Sequence, residues 1–463
     1  MQKYDEKNPL GHKKISGLLL SFAIPSIIAM LVNALYNMVD QIFIGNKFGF
    51  LGNAATNVAF PLTTISTAFA LLLGHGGASK QNLELGAGNR EKAEKTLGMV
   101  LILATVISLI LLISEASFLA PLLKIFGATD DVYPYAYDYT KIIIFGLPFM
   151  IFSTAINNTI RADGSPTYSM FSMLFGAVLN TILDPVFLFV FDMGIEGAAI
   201  ATVIGQVAGF IISVAYLPRF KHIKLTKKCL KFDFSLVRAI FVLGIASFFN
   251  QLAMASVQVV LNNSIKYYGA LSEFGSDIPL ACIGIMMKVN MIFMSVVIGI
   301  GQGCQPIASF NYGARQFDRV KETFKTAVKY STVISVVFFL IFQIFPRQIM
   351  YIFGEGSDTY FMFAEKCFRI YLFASFVNGL QPVTTGFFTS IGKGVKGMFI
   401  ALTRQVLFLM PLIIIFPLFW GIDGIMFAAP LADFGAFVTA MLFVKKEFKN
   451  MDLISNNESE KVK

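Results

Sequence analysis

Twelve apolar stretches, each long enough to cross a bilayer, constrain this chain more tightly than any other feature. They begin near Ile15, Asn53, Lys95, Asp131, Pro166 and Ile195, and again near Leu236, Ile278, Val320, Thr359, Val395 and Gly424. A spanning helix needs about 20 apolar residues, and lipid admits only helices or closed barrels because each backbone group must find its partner internally. The expected architecture is therefore an all-α integral membrane protein of twelve spans. Charge agrees: 14% of residues are charged and 56% hydrophobic, with Phe at 49 positions, whereas soluble domains carry about 25% charged residues. A soluble enzyme, a disordered scaffold and a coiled coil are excluded. Phe60-Pro61, Leu147-Pro148 and Phe416-Pro417 are expected to kink their helices rather than end them.

Loop charges set the orientation. The even-numbered loops and the tails hold Lys80, Arg90, Lys92, Arg161, Arg219, Lys221, Lys224, Lys227, Lys228, Arg315, Arg319, Lys393, Lys396, Lys445 and Lys446, besides N-terminal lysines such as Lys3 and Lys7. The odd-numbered loops carry acids such as Asp130, Asp131, Asp192, Glu196, Glu273 and Asp277. By the positive-inside rule both termini are cytoplasmic, in a multi-pass protein of the cell membrane. The net charge of +9 then reports topology and an anionic inner leaflet, with membrane lipid and no nucleic acid as partner. The polar start reads as the flank of a retained first span, without a cleavable signal. Cys229, Cys282, Cys304 and Cys367 form no CxxC pair, so neither a disulfide framework nor a zinc site is indicated.

The chain also repeats itself. Gly86-Ala87-Gly88-Asn89-Arg90 recurs 227 positions later as Gly313-Ala314-Arg315-Gln316-Phe317, and at the same shift Ile125-Phe126-Gly127 meets Ile352-Phe353-Gly354. Gly194-Ile195-Glu196-Gly197 likewise meets Gly421-Ile422-Asp423-Gly424. Each half holds six spans, an even number, so both enter the membrane from the same side and are related by a pseudo-twofold along its normal. The expected units are an N-lobe over 1–217, a basic cytoplasmic linker over 218–235, a C-lobe over 236–446 and a polar cytoplasmic tail over 447–463. Two such bundles suit alternating access through a V-shaped cleft.

Ionisable groups at membrane depth are costly and mark functional sites. Asp40 lies about six residues, roughly 9 Å, from the far end of span 1. Asp184 in span 5 and Thr202 in span 6 lie about seven residues, roughly 10 Å, from theirs. Asn180 precedes Asp184 by four and shares its face. Pro185 leaves the Thr181 carbonyl without its helical donor. Asn33, Tyr36 and Asn37 share the face of Asp40, and Gln206 follows Thr202 by four. Two carboxylates, an amide, a hydroxyl and a carbonyl offer ligands to a hard cation, or a carboxylate pair that shares a proton. Read singly, Asp40 also fits an interfacial helix end and Asn180 a bond to a neighbouring helix.

The second half lacks these acids: the counterparts of Asp40 and Asp184 fall near Leu261 or Asn262 and near Leu412, and that of Thr202 is Ala429. The asymmetry points to a coupling site confined to the first half. The second half carries Lys288, Arg369 and Arg404 instead, as carbonyl partners, lipid-phosphate ligands or gating groups. Met286, Met287, Met291 and Met294 form a stripe on span 8 that reads as packing or as a promiscuous substrate surface. Asp138 with Lys141 reads as a rim pair, Asp433 as a weaker candidate, and Gln302 and Gln305 as following glycines that permit close helix approach.

Gly299-Ile300-Gly301-Gln302-Gly303-Cys304-Gln305-Pro306 followed by Asn311-Tyr312-Gly313-Ala314 resembles the span 8 signature of the multidrug and toxic compound extrusion (MATE) transporters. Asp40-Gln41-Ile42-Phe43-Ile44-Gly45 and Leu179-Asn180-Thr181-Ile182-Leu183-Asp184-Pro185 resemble the same family's first-lobe motifs. The resemblance runs from about Ile15 to Lys446 and is nearest the prokaryotic DinF branch with its MepA-type members. It implies twelve helices in two six-helix lobes, export by antiport against Na⁺ or H⁺, and a first-lobe cation or proton site formed by Asp40, Asn180, Asp184 and Thr202. Those four would be metal ligands only if Na⁺ is the coupling ion. The acids that other branches have in spans 7 and 10 find no counterpart here, Asn262 and Asn263 standing near the former.

The expected function is secondary active efflux of amphipathic, often cationic organic compounds by a monomer that needs no cofactor beyond the coupling ion. A lipid-linked precursor flippase of the same superfamily is the alternative, kept open by Lys288, Arg369 and Arg404. An embedded enzyme is not expected, because DDxxD, HExxH and GxSxG are absent and only His12, His75 and His222 supply imidazole.

Overall fold

The computed structural model describes residues 8–275, 277–353 and 357–462. Lys3, Lys7 and Gly354 of the sequence reading lie outside them. Ten helices among the described residues are long and apolar enough to cross a membrane. The first, Ile15–Gly86, is two spans joined at Gly49, whose φ of 61° and ψ of −145° break the helix; a side chain there would be strained. A further span runs over 358–390 as two pieces, Asp358–Tyr371 and Leu380–Ser390. The total is twelve.

Span 1 covers 15–48 and span 2 covers 50–86. Spans 3 and 4 are Arg90–Ser117 and Tyr133–Ala162, span 5 is Pro166–Val190 and span 6 is Ile195–Arg219. In the second half, spans 7, 8 and 9 are Phe234–Ala270, Asp277–Gly313 and Phe317–Ile344. Span 10 is the broken one, span 11 is Gly394–Trp420 and span 12 begins at Ile422. Pro61 and Pro148 sit inside continuous helices, whereas Phe416-Pro417 does interrupt span 11, between Met410–Ile415 and Pro417–Trp420. Behind Pro185 the helix widens into a π-turn over Val186–Val190, which absorbs the lost donor that the sequence assigned to Thr181. The last helix continues to Val462, with Glu447 and Met451 buried. Its start is thus packed structure, although the sequence reads as a polar tail.

Hydrophobic packing divides the molecule by depth. Away from the termini the first half has its own core, including Ile44, Ala55, Leu62, Ile143, Leu188 and Ala198. The second half has another there, including Leu261, Met286, Phe342, Phe368 and Ile425. Toward the termini the two merge into one core in which Leu19, Phe22 and Leu97 meet Ile307, Phe310, Phe387 and Phe388. The halves are thus closed at the end that bears the termini and separately packed at the other.

Their relation is visible atom by atom where spans 2 and 8 cross. A Cβ on Gly86 would come within 2.0 Å of the Phe310 carbonyl oxygen, and one on Gly313 within 2.1 Å of the Leu83 carbonyl oxygen. Leu83 and Phe310, like Gly86 and Gly313, are 227 positions apart. The pseudo-twofold passes through this crossing, and backbone meets backbone because neither helix carries a side chain there.

The stretch between the halves is docked. The buried Asp163 carboxylate accepts from the backbone N–H groups of Lys221 at 2.7 Å and His222 at 3.0 Å, and from the Tyr216 hydroxyl at 3.0 Å. Glu94 accepts from the N–H of Lys224 at 3.0 Å. Both acceptors belong to the first half. Its burial pushes the Asp163 carboxyl above the usual carboxylate range, against the pull of those donors.

Candidate functional site

Small residues bring spans 5 and 6 together beneath the site. A Cβ on Gly176 would lie 2.6 Å from the Gly205 carbonyl oxygen, and one on Gly205 equally close to the Gly176 carbonyl oxygen. This contact carries Asn180, one turn above Gly176, against Thr202. The Asn180 amide donates to the Asp184 carboxylate and to the Thr202 hydroxyl, each at 3.2 Å. Asp184 and Asn180 are buried, Thr202 and Asp40 half-buried. Across from them on span 1, the Asp40 carboxyl faces the Asp184 carboxyl within hydrogen-bonding contact. Two acceptors this close repel unless a proton or a cation stands between them.

Three oxygens of the cluster are buried without a hydrogen-bond partner: Asp40 Oδ1, Asn180 Oδ1 and Asp184 Oδ2. An unsatisfied buried acceptor is costly, and three of them in one cluster at membrane depth leave acceptor capacity for a positively charged species. The four residues singled out from sequence are therefore brought together. Oxygen-only ligands suit a hard cation, and carboxyls in contact suit a shared proton. Among the described residues no group of three or more His, Cys, Asp or Glu side chains gathers to hold a metal; this cluster consists of two carboxylates, an amide and a hydroxyl.

The supporting residues divide. Tyr36 joins the cluster, lying beside Asp40 and Asp184. Gln206 packs over Gly146, where a Cβ would come within 2.1 Å of its Oε1, and that oxygen is also unpartnered. Asn33 and Asn37 instead bond each other, the Asn37 amide donating to the Asn33 backbone oxygen at 2.7 Å. Met287 packs against the second-half core, whereas Lys288 and Met291 are exposed on span 8. Tyr139 of span 4 escaped the sequence reading. Its hydroxyl and that of Thr202 hydrogen-bond, and both carboxylates lie close by. Only its four-residue spacing from Tyr135 and Ile143 on one helix face could have hinted at it.

Span 1 is held upright beside this site. Lys47 pairs with Asp192 at 2.6 Å, and Phe43 meets Phe189 edge-on with centroids 6.3 Å apart. The rim pair Asp138 and Lys141 forms at 2.7 Å, and Lys141 also reaches Glu196 at 2.7 Å.

In the second half Arg404 and Asp433, separate in the sequence reading, are partners, and Asn378 of the broken span 10 donates to Asp433 at 2.8 Å. Arg369 is exposed, its backbone oxygen accepting from Gln343 at 3.0 Å. Arg161, read from sequence as a loop charge, is a correction. It is buried in span 4 at the seam between the halves, because Ser26 of span 1 and Gln302 of span 8 close over its guanidinium. Gln302 and Gln305 also do more than follow glycines: Gln302 accepts from Arg161, and Gln305 donates to Ser79 at 2.8 Å.

Comparison with known proteins agrees with this geometry. The family model MatE matches residues 25–186 and 246–415, one segment in each half. The multidrug export protein MepA of Staphylococcus aureus (strain MSSA476) is 24% identical over 442 residues, covering 95% of both chains. A solved outward-facing conformation of a multidrug resistance MATE family transporter superposes with a TM-score of 0.90 at 21% identity, covering 97% of this chain and 99% of the other. A MOP superfamily transporter from Pyrococcus furiosus, described as having a binding pocket of reverse polarity, gives the same TM-score, identity and coverage. With a model spanning both halves and the fold matched along nearly the whole chain, this protein belongs to the MatE family of membrane transporters.

Proposed function

We propose that the protein is a secondary active multidrug efflux antiporter, acting as a monomer, which exports amphipathic and often cationic organic compounds in exchange for H⁺ or Na⁺. The observation that carries this reading is the convergence of three unpartnered oxygens, Asp40 Oδ1, Asn180 Oδ1 and Asp184 Oδ2, at membrane depth in one half only. Asp40, Asn180, Asp184 and Thr202 hold the coupling ion, as a proton shared by the carboxyls or as Na⁺ among the oxygens. Tyr36, Tyr139 and Gln206 line its surroundings. Substrate occupies the cleft between an N-lobe over 1–217 and a C-lobe over 236–446, joined by the linker 218–235, with 447–463 and the N-terminus on the cytoplasmic side. Exposed Lys288 and Met291 belong to the cleft wall.

Ion entry neutralises the carboxylates, changes how span 1 sits against spans 5 and 6, and shifts the equilibrium between the two openings of the cleft. The lysine and arginine excess at the closed end supports cytoplasmic termini. Relatives named for multidrug export support the substrate class. The flippase alternative loses a cation, because Arg404 is engaged with Asp433.

The test is dye export from inside-out vesicles with Na⁺ and proton gradients imposed separately. Accumulation driven by one gradient, abolished when that gradient is collapsed, is the expected result; dye movement indifferent to both refutes antiport.

A further inference from the structure

A buried guanidinium at the seam has no use in the coupling site. Arg161 is 6% exposed, and its hydrogen-bond partners are neutral: Asn158 Oδ1 at 2.8 Å, Ser26 Oγ at 3.4 Å and Gln302 Oε1. Among the described residues no carboxylate pairs with it. A buried charge without a counter-charge costs several kcal/mol, so chains keep one only where it is used. Asp40 lies 14 positions beyond Ser26 on span 1, about 21 Å of helix, so the acidic cluster does not compensate it.

Its position suggests the use. Ser26, Asn158 and Arg161 belong to the first half, while Gln302 and Gln305 belong to the second. Beside the guanidinium is a cavity of about 10 Å³ lined by Asn82, Asn158, Gln302 and Gln305, room for roughly one water molecule. Within it Asn82 Oδ1 is buried and unpartnered, and the Asn82 amide makes only a long 3.4 Å bond to the Pro306 oxygen. When the halves part here, Gln302 leaves with the second half and Arg161 faces the opening with amide donors around it. Three of its five N–H groups are all that the present partners use.

We propose that Arg161 is an anion-binding residue of the transport cleft, masked by Gln302 in this conformation. Once the terminus-bearing end opens, it takes the carboxylate or phosphate of an amphipathic molecule. The proposal rests on the export reading above, since it requires the seam to open. Guanidinium against a planar oxyanion gives a bidentate, charge-assisted pair, stronger than the amide contact it replaces. Such a molecule is a transported compound with an acidic group or an anionic lipid.

The experiment uses the full chain in proteoliposomes and a matched pair of dyes, a cationic rhodamine methyl ester and its free carboxylic acid. Ester export by the unaltered protein tests the export reading by itself. The anion site is read from inhibition of ester export by the acid. The expected result is inhibition in the unaltered protein, weakened at least tenfold by Arg161→Gln and retained by Arg161→Lys. Gln302→Glu, which supplies a carboxylate from within and satisfies the buried charge, is expected to weaken acid inhibition likewise, and it carries the test if Arg161→Gln does not fold. Acid inhibition that fails to appear in the unaltered protein, or persists unchanged in both Arg161→Gln and Gln302→Glu, overturns the proposal. Replacing phosphatidylcholine with phosphatidylglycerol separates the sources: a lipid occupant relieves acid inhibition in the unaltered protein, and a transported one leaves it intact.

Discussion

Arg404 donates its Nε to the Asp433 carboxylate at 2.6 Å, and the pair stands 227 positions beyond Ala177 and Gln206 in the first half. In the N-terminal bundle Gln206 keeps an unpartnered side-chain amide oxygen, Oε1, above Gly146; its equivalent in the C-terminal bundle, Asp433, is met by the resident cation Arg404. Asp433 therefore accepts from Arg404 and Asn378 and is a satisfied acid, unlike Asp40 and Asp184. Removing one member of such a buried pair costs about 3–5 kcal/mol, whereas replacing both with apolar residues of similar size is near neutral. Arg404→Met alone and Asp433→Leu alone should each lower the thermal unfolding midpoint of the detergent-solubilised protein, and the double substitution should recover most of the loss. Equal midpoints for the single and double variants would count against the pairing as a source of stability.

Asp40→Asn and Asp184→Asn remove the charge while keeping the shape. Coupling free energies between sites commonly correspond to factors of 5–150, so each substitution should cut ion-driven dye export by roughly tenfold or more at unchanged membrane expression. Export rates in vesicles, normalised to protein by immunoblot, decide it. Full transport by both variants would remove the carboxyl pair from the mechanism.

Thr202→Val deletes a hydroxyl that accepts from Asn180 and bonds Tyr139, at constant volume. If the hydroxyl is also a ligand of the ion, the loss of that one contact, taken as worth a hydrogen bond of about 0.5–1.5 kcal/mol, should raise the ion concentration for half-maximal export by roughly 2- to 12-fold and leave the maximal rate alone. A titration of export against the driving ion reads this directly; an unmoved midpoint would place Thr202 outside the ion's ligands.

A methyl at Gly86 or Gly313 meets a carbonyl oxygen of the opposite half at about 2 Å. Backbone cannot yield as a side chain can, and overpacking of this kind costs about 1–3 kcal/mol. Gly86→Ala should therefore wedge the terminus-bearing end apart and draw the far ends together. Spin labels at the exposed positions Phe50 and Leu271, measured by double electron–electron resonance, should move to shorter distances. An unshifted distribution in both the Gly86→Ala and Gly313→Ala variants contradicts the wedge.

The stretch between the halves is fastened through Asp163, which accepts two backbone N–H groups from it. Hydrogen bonds to a charged acceptor contribute about 1.5–3 kcal/mol each, so Asp163→Ala should release the lysine-rich segment. Limited trypsin digestion at Lys221 and Lys224 should speed up roughly tenfold, with transport retained. Unchanged cleavage would mean that the packing of Ile223, not the carboxylate, holds the segment.

Span count and span starts were legible because twenty apolar residues in a row leave little alternative in lipid. The cluster of Asp40, Asn180, Asp184 and Thr202 was legible for a related reason: polar groups at one depth on facing helices stand out against an apolar background. Other features came from packing. Arg161 sits at a helix end beside Asp163, where a basic residue ordinarily belongs to a loop, and only the meeting of spans 1, 4 and 8 through Ser26, Asn158 and Gln302 shows it to be buried. Tyr139 looks like any rim aromatic until Thr202 is brought opposite. Span 10 breaks near Asn378, four residues before Pro382, which cannot donate to the Asn378 carbonyl; that signal was in the sequence, whereas the bond from Asn378 to Asp433 came only with the fold. Lys288, by contrast, is exposed and meets no partner among the described residues that would assign its role.

Because Gly86 abuts the carbonyl of Phe310 while Gly313 abuts that of Leu83, the seam is an isologous interface contained within one polypeptide, the kind of contact two copies of a protein make around a dyad. Substitutions there come in equivalent pairs. Whatever a change at one member does to the balance of the two openings, the matching change at the other repeats from the opposite side, so a single engineered asymmetry at this crossing reports how independent the two bundles have become.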